Sequence, residues 1–343
     1  MLLAALVCAC GRQPDEPRYE IVYIDHSGPP VVEQNEPPAE ASERPFKIAL
    51  VSKISGIAYF NVAEEGAMEA ARDLGVELVS TGPRVADARH QIEVVENLIR
   101  QGVDAIAIAA NDPESLAPVM LKAREQGIEV ITWDSDSVPE ARTFFVSQVD
   151  AETLGRHLMD LLASHMNERG RYAIMTGSET ALNLNEWIHW MEVQRSEYYP
   201  EMELVDMAAN DEDPEKAYRE ALRLLDEHPD LEGLVGIASI SPPALAKAVV
   251  DRGREGEVLV VGVSTPELMR PYIKSGVAPV ITLWSPKKLG YLTVYLAKQL
   301  LEGRMPYDGQ RIPEVGDIRY RNGVVIMGEP LDFTKENVDE YHF

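Results

Sequence analysis

The chain has 343 residues, of which 57 are acidic and 32 are basic, so its formal net charge at neutral pH is −25. A surface with this much negative charge repels the phosphate backbones of nucleic acids, and we therefore expect no nucleic-acid partner. With 45% hydrophobic residues, the chain is long enough to build two domain cores. Its two cysteines, Cys8 and Cys10, lie at the N-terminus, which leaves the body without a thiol for a disulfide, a metal site or a nucleophile.

Residues 1–10 resemble a bacterial export signal. The apolar run 2–7 is too short to span a membrane, and the residues before Cys10 fit a lipobox in which Cys10 is lipidated. No basic residue precedes the apolar run, and we expect the true start to lie upstream. Residues 11–45 are rich in Pro and Glu and cannot bury a core, which predicts an extended tether.

From residue 46 the sequence predicts strands and helices in strict alternation. Short apolar runs, typical of strands buried on both faces, alternate with longer runs of helical pattern. The predicted strands are 46–51, 76–80, 105–109 and 129–133, and the predicted helices are 60–74, 85–101 and 116–126. This alternation indicates a parallel sheet with helices on both faces.

The same pattern then starts again. The second set of predicted strands is 143–146, 172–176, 204–208, 233–237, 258–263 and 280–283, and its predicted helices are 151–167, 185–199, 214–228, 242–251, 266–274 and 289–301. Two successive halves of this kind predict an α/β fold of two doubly wound parallel-sheet lobes. A cleft between such lobes is a usual place to enclose a small ligand.

The strand 129–133 is followed by polar residues at its carboxyl end, where ligands bind in open α/β sheets. Trp133 and Asp134 suit a small polyhydroxylated ligand, because a carboxylate accepts hydrogen bonds from hydroxyl groups and an aromatic ring covers an apolar face. The alternative is that Trp133 is a core residue and Asp134 caps the next element. The organisation of the whole chain favours binding.

Several further motifs accompany this strand end. They are Lys53 with Gly56, Tyr59-Phe60-Asn61, Glu65-Gly66-Ala67, Gln101-Gly102-Val103-Asp104, Asn111-Asp112-Pro113, Thr132-Trp133-Asp134-Ser135-Asp136, Asn185-Glu186-Trp187, Met269-Arg270-Pro271-Tyr272 and the tail from Phe333 to Tyr341. With these motifs, residues 47–343 resemble the ribose-type periplasmic solute-binding proteins of ABC transporters. The chain is most similar to the branch with rhamnose-binding proteins and Lsr-type binding proteins for autoinducer-2.

The resemblance implies a type I clamshell whose lobes are joined by a three-stranded hinge. Crossings are expected near Gln148, after Trp284 and around 312–317. The first lobe would contain 46–147 plus 285–313, and the second 148–284 plus 314–343. The resemblance also implies a monomer without a cofactor or enzymatic activity, held at the membrane only through a lipid on Cys10, on the cell surface or in the periplasm. Its lobes would close on a sugar and present the closed form to a membrane permease.

The resemblance also carries site residues from the first lobe. In the Lsr-type pattern, Lys53 and Asp134 contact the ligand, and Tyr59 and Phe60 stand where the class often stacks aromatic rings on the sugar. For Lys53 the alternative is an exposed loop lysine, and for the two aromatic residues it is the apolar start of a helix. Asn111, which follows a strand end, and Asp136 complete the predicted contacts of this lobe.

The second lobe departs from the autoinducer-2 pattern. Asn183 and Leu184 stand where Lsr-type proteins have Asp-Gln, and 237–239, which ends in Ser239, replaces Pro-Asp-Ala. Each buried hydrogen-bonding group left unpaired costs about 1–3 kcal/mol, which argues against autoinducer-2 and favours a ligand with an apolar edge such as a 6-deoxyhexose.

Relative to the ribose pattern, Ser264 replaces an Asp and Trp284 replaces the hinge Gln. Trp284 is therefore a candidate stacking platform, with a core Trp at the hinge as the alternative. Trp187 ranks lower, because a helical Trp is more often a core residue.

Three other functions remain open. A glycosidase could use Asp134 and Asp136, but such an enzyme requires a set separation between its two carboxylates, which the sequence does not indicate. The sequence contains no G-x-S-x-G, H-E-x-x-H, P-loop or G-x-G-x-x-G motif. A sensor lobe related to sugar-responsive repressors shares the fold, but a helix-turn-helix is missing. A binding protein that serves a chemoreceptor or sensor kinase is also compatible with the sequence.

Overall fold

A computed structural model describes residues 44–343. The predicted export signal with Cys10, and residues 11–43 of the predicted tether, lie outside the described residues. The helices are α1 Ala58–Leu74, α2 Ala88–Gln101, α3 Pro113–Glu125, α4 Ala151–His165, α5 Leu182–Tyr198, α6 Pro214–Glu227, α7 Ser241–Asp251, α8 Pro266–Ser275 and α9 Pro286–Leu301. Within the described part of the chain, no helix is both long and apolar enough to cross a membrane.

The strands form two main sheets and two short ribbons. They are β1 Lys47–Val51, β2 Glu77–Thr81, β3 Ala105–Ile108, β4 Glu129–Trp133, β5 Phe145–Ser147, β6 Gly170–Thr176, β7 Met202–Ala209, β8 Gly233–Gly236, β9 Leu259–Gly262, β10 Ile281–Leu283, β11 Arg311–Ile312, β12 Gly316–Asp317, β13 Arg319–Arg321, β14 Val324–Ile326 and β15 Leu331–Phe333. The predicted α/β fold with two parallel-sheet lobes is confirmed.

The sheet of the first lobe has the order β13-β14-β5-β4-β3-β1-β2, and only β13 runs antiparallel to its neighbour. Successive residues of β1 point to opposite faces, as in any strand. Ile48 and Leu50 pack into the core that includes α1, whereas Ala49 and Val51 pack against α2 and α3. This burial on both faces explains why the strand sequences are almost continuously apolar.

The sheet of the second lobe has the order β7-β6-β8-β9, and all its strands are parallel. A bridge between Val263 and Thr282 brings β10 beside it, and β15 pairs antiparallel with β10. Helices α4 and α5 pack together, as do α6 and α7.

Along the chain, β1 to β5 belong to the first sheet, β6 to β9 to the second, and β13 and β14 to the first again. The predicted assignment of 314–343 to the second lobe is wrong for β13 and β14, because β14 pairs with β5 in the first sheet. The segment around 312–317, predicted as a crossing, forms the β11–β12 ribbon instead. Strands of only two or three residues carry too little hydrophobic pattern to be found from sequence.

Helix starts also differ from the predicted ones. Helix α3 begins at Pro113, and the Asp112 side chain accepts a hydrogen bond from the backbone N–H of Ser115. Helix α9 begins at Pro286, and Ser285 caps it. Both helices start three residues before the predicted 116 and 289. Proline is favourable at the first helical position, but it does not contribute to the hydrophobic pattern from which the starts were predicted.

Helix α9 returns from the second lobe and packs against α1. A Cβ atom on Gly66 would lie 1.8 Å from the carbonyl oxygen of Lys287, and one on Gly290 would lie 1.8 Å from that of Ala63. The two helix backbones therefore touch at a pair of glycines. This close contact fixes α9 in the first lobe and with it the position of the preceding hinge residue Trp284.

Candidate ligand-binding site

A cavity lies between the carboxyl ends of the two parallel sheets and comprises about 340 Å³ of atom-free space, including its mouth. Its lining residues are Lys53, Tyr59, Phe60, Asp134, Asn183, Leu184, Trp187, Glu212, Ile237, Ala238, Ser239, Val263 and Trp284. The structure thus brings together eight of the eleven predicted contacts, namely Lys53, Tyr59, Phe60, Asp134, Asn183, Leu184, Ser239 and Trp284.

Lys53 and Asp134 form a buried ion pair on the first-lobe side. Lys53 follows β1 and Asp134 follows β4, and the residues are 4% and 2% exposed. The Lys53 Nζ atom lies 3.3 Å from Asp134 Oδ2. Lys53 is therefore not an exposed loop lysine. No hydrogen bond within residues 44–343 reaches Asp134 Oδ2, which leaves that oxygen available to a ligand.

Asp134 is held in an unusual conformation. Its φ is 60°, a left-handed value that non-glycine residues seldom adopt, and its backbone N–H donates to the carbonyl oxygen of Val146 at 3.1 Å. Such strain persists only where surrounding contacts impose it, and it concentrates at functional sites.

Tyr59 connects this carboxylate to the hinge. The Tyr59 hydroxyl donates to Asp134 Oδ1 at 2.7 Å, and the indole N–H of Trp284 donates to the Tyr59 oxygen at 2.9 Å. Burial, together with the Asp134 charge, raises the pKa of the Tyr59 phenol well above its usual range. Tyr59 is therefore a neutral donor that fixes Asp134, and α1 supplies it from its first turn.

Aromatic rings form one wall of the cavity. Tyr59 contacts Phe60 and Trp284 edge to face, with centroid distances of 5.1 and 6.0 Å, and Trp187 lies 5.6 Å from Trp284. Trp187 of α5 was ranked low from sequence, but it lines the cavity. Trp133 is fully buried, contacts Phe60 and does not line this cavity. This agrees with the alternative prediction that Trp133 is a core residue.

The second lobe contributes mostly small and apolar groups. Asn183 and Leu184 project from the first turn of α5, and Ser239 follows β8. The Asn183 Oδ1 atom is buried without a hydrogen-bond partner among the described residues. A ligand that fills the cavity would meet one unpaired amide oxygen in an otherwise apolar corner.

Glu212 is the charged cavity residue that the sequence did not reveal. It is 5% exposed and follows β7, and its backbone N–H donates to the Asn210 side chain at 2.9 Å. Burial raises the pKa of the Glu212 carboxyl, the Lys53 ammonium opposes this, and the Asp134 charge adds to it. An acidic run ahead of Pro214 is typical of a helix start, which Asp213 indeed caps, so the sequence gave no separate signal for Glu212.

Three predicted contacts have other partners. Asp136 accepts hydrogen bonds from Arg142 Nη2 at 2.6 Å and Nε at 2.8 Å, in a buried ion pair away from the cavity. The Asn111 side chain donates to the backbone oxygen of Lys53 at 2.8 Å and so holds the Lys53 loop. Ser264 donates to the backbone oxygen of Ser239 at 2.6 Å. Asn111 and Ser264 thus support residues of the site, and none of the three lines the cavity.

The cavity residues do not form a metal site. Among residues 44–343, the one group with metal-ligand spacing is Asp206, Glu227 and His228. Arg223 donates to Asp206 at 2.8 Å and to Glu227 at 2.7 Å, and it thereby supplies the positive charge there.

The arrangement is that of a two-lobed binding protein for a small solute. The family model for the periplasmic binding protein domain matches residues 48–305. The D-ribose/D-allose-binding protein of Pseudomonas aeruginosa is 30% identical over 282 residues, which cover 78% of this chain and 86% of the relative. The chain therefore belongs to the periplasmic binding protein family, and the resemblance to its ribose-type members is confirmed.

Solved structures agree with this assignment. A solute-binding protein of an ABC transporter from Clostridium phytofermentas with bound L-rhamnose has a TM-score of 0.83 and 28% identity, with 87% of this chain and 98% of that chain covered. LsrB from Clostridium saccharobutylicum in complex with AI-2 has a TM-score of 0.82 and 26% identity, with 87% and 100% covered.

Proposed function

We propose that this chain is the extracytoplasmic binding component of an ABC importer and that it captures a small neutral sugar between its lobes. The observation that carries the proposal is the buried group of Lys53, Asp134 and Tyr59 beside an aromatic wall. Lys53 offers donors to ring or hydroxyl oxygens. Asp134 Oδ2 pairs with the Lys53 ammonium but accepts no hydrogen bond within 44–343, so it offers an acceptor to a ligand. Closure of the lobes would present the liganded form to a membrane permease.

A rhamnose-like deoxysugar or a pentose is the favoured ligand. Leu184 and Trp187 give the second lobe an apolar side, which suits a methyl group or an unsubstituted ring carbon. Relatives named for D-ribose and D-allose, and a structure with bound L-rhamnose, support sugars of this size.

Autoinducer-2 is the second candidate, for quorum-signal uptake. The structural similarity to LsrB with AI-2 favours it. Asn183, Leu184 and Ala238 argue against it, because they stand where the Lsr-type pattern has Asp, Gln and Asp. A sugar-sensing receptor would use the same cavity with a different membrane partner.

The proposed lobes are 46–147 plus 285–326, and 148–284 plus 331–343. We further propose that the protein acts as a monomer that is anchored to the membrane through a lipid on Cys10, with residues 11–45 as the tether. It needs no cofactor and catalyses no reaction, because its carboxylates are placed to accept hydrogen bonds from a solute.

Thermal shift with L-rhamnose, L-fucose, D-ribose, D-allose and autoinducer-2 tests this function. A ligand at one hundred times its Kd stabilises the folded state by about 2.7 kcal/mol. Asp134→Asn should abolish the shift and keep the fold, since asparagine tolerates a positive φ. Glu125→Gln, the same charge change on the exposed surface of α3, is the control. The proposal would be contradicted if none of these ligands raised the unfolding midpoint, or if Asp134→Asn and Glu125→Gln showed equal shifts.

A further inference from the structure

The second lobe places one carboxylate in the cavity, opposite the ion pair of the first lobe. Glu212 is 5% exposed and lines the same space as Lys53 and Asp134. Within residues 44–343, no group hydrogen-bonds to the Glu212 carboxylate, although buried carboxylates are normally paired. The polar partner of this side chain therefore has to come from something that enters the cavity.

The surroundings of Glu212 hold its carboxylate in place. Asn210 is fully buried, donates to Ser241 Oγ at 2.8 Å and accepts the backbone N–H of Glu212. Gly177 lies against the carboxylate, and a Cβ atom there would come within 2.5 Å of Glu212 Oε1. A glycine at this point leaves room for the acid, and a buried asparagine orients the backbone that carries it.

The cavity contains several acceptor atoms that accept no hydrogen bond from the described residues. Asp134 Oδ2 and Asn183 Oδ1 are buried without hydrogen bonds, and Glu212 adds two more acceptor atoms. Lys53 is the one cation among the lining residues, and it already lies 3.3 Å from Asp134. A molecule with several hydroxyl groups supplies the missing donors on both sides of the cavity.

We propose that Glu212 is a specificity-determining residue of the second lobe, whose carboxylate accepts a hydrogen bond from one particular hydroxyl group of the bound sugar. This inference rests on the proposed function. Asp134 of the first lobe and Glu212 of the second would then accept hydrogen bonds from opposite edges of the sugar ring.

A thermodynamic cycle between the protein and the ligand tests the contact. Calorimetry with the full chain would compare the wild type and Glu212→Ala, each with the best-binding sugar and with its set of monodeoxy analogues. For one analogue, the wild type should lose about tenfold or more in affinity, whereas Glu212→Ala should lose less than about twofold, because the contact is already gone. Equal losses in both proteins for every analogue would overturn the inference.

Two further variants separate contact from folding. Glu212→Gln keeps the side-chain shape and should weaken binding of the parent sugar about tenfold. Asp211→Asn removes the neighbouring exposed charge, which pairs with Lys216, and should leave affinity unchanged. If the wild type binds a sugar but both proteins lose the same affinity for every analogue, Glu212 does not contact the ligand. The proposed function stands in that case. If the wild type binds none of the sugars, both fail.

Discussion

The hydroxyl of Thr180, in the second lobe, donates a hydrogen bond of 2.9 Å to the backbone oxygen of Asn111, in the first. Thr180 is in the loop that follows β6 and Asn111 is in the loop that follows β3, so this bond joins the two lobes. Asn111 also holds the Lys53 loop. Asn111 therefore takes part both in the contact between the lobes and in the positioning of Lys53.

We expect Thr180→Val to speed ligand release. A hydrogen bond contributes about 0.5–1.5 kcal/mol, which corresponds to roughly a twofold to tenfold increase in the dissociation rate. Stopped-flow fluorescence of the cavity tryptophans would measure this rate. Thr180→Ser keeps the hydroxyl and should release ligand like the wild type. An unchanged rate in Thr180→Val would mean that this bond does not hold the closed form.

Asp136→Ala should destabilise the fold without changing the ligand affinity of the folded protein. Removing one partner leaves the Arg142 guanidinium buried and unpaired, which costs about 3–5 kcal/mol. Urea unfolding at 25 °C measures the loss, and calorimetry measures the affinity. The double variant Asp136→Ala with Arg142→Met should recover part of the stability. A large loss of affinity with normal stability would restore Asp136 as a ligand contact.

Glu212→Gln should raise the free energy of unfolding at pH 7. Because the pKa of Glu212 is raised in the folded state, the native protein binds more protons than the unfolded chain between the ordinary and the raised pKa. The wild type therefore loses stability as pH rises through this window. Lys53 and Asp134 are the charged groups that face Glu212, and both are unchanged in the variant.

The gain in Glu212→Gln should shrink below about pH 4.3, where a glutamate in an unfolded chain is protonated. Unfolding at pH 7 and pH 4 without ligand measures this difference. Asp211→Asn, whose carboxylate is exposed, is the control for removing one charge. A gain of equal size at both pH values would show that the ionisation of Glu212 does not limit stability.

Gly290→Ala should destabilise the first lobe by about 3 kcal/mol or more, since the added methyl group meets the backbone of α1 at 1.8 Å and neither helix can move alone. The midpoint of thermal unfolding measures the effect. Gly328→Ala is the matched control, because a Cβ there has no atom within 4 Å and the φ of Gly328 is not positive. Equal midpoints in the two variants would contradict the close helix contact.

The sequence predicted the first-lobe side of the site best. Lys53 and Asp134 follow strongly apolar strands, and parallel strands bring their carboxyl ends to one edge of a sheet. Asp136 has the same sequence context as Asp134 but binds Arg142, six residues later. Neither strand nor helix periodicity pairs positions 136 and 142, because the intervening turn brings them together.

The second-lobe side was harder to predict. Glu212 lies in an acidic run that also provides the cap of α6. Asp213 is that cap, whereas Glu212 lines the cavity, and the sequence does not distinguish these two positions. Trp187 follows helical spacing, which does not distinguish a core residue from a cavity wall between two lobes. Strands β13 and β14 were missed because their pairing is set by long-range contact with β5.

The unpaired acceptors of the cavity bear on how an empty protein behaves. Under the proposed function, closing the lobes on an empty cavity would bury the Asn183 oxygen without a donor and would bring Glu212 toward Asp134, a carboxylate of like charge. Each unsatisfied group costs about 1–3 kcal/mol, so the empty protein would favour opening and the liganded protein would favour closure. A transporter that responds to the shut form would then seldom be triggered by a binding protein without cargo, and few of its transport cycles would be wasted.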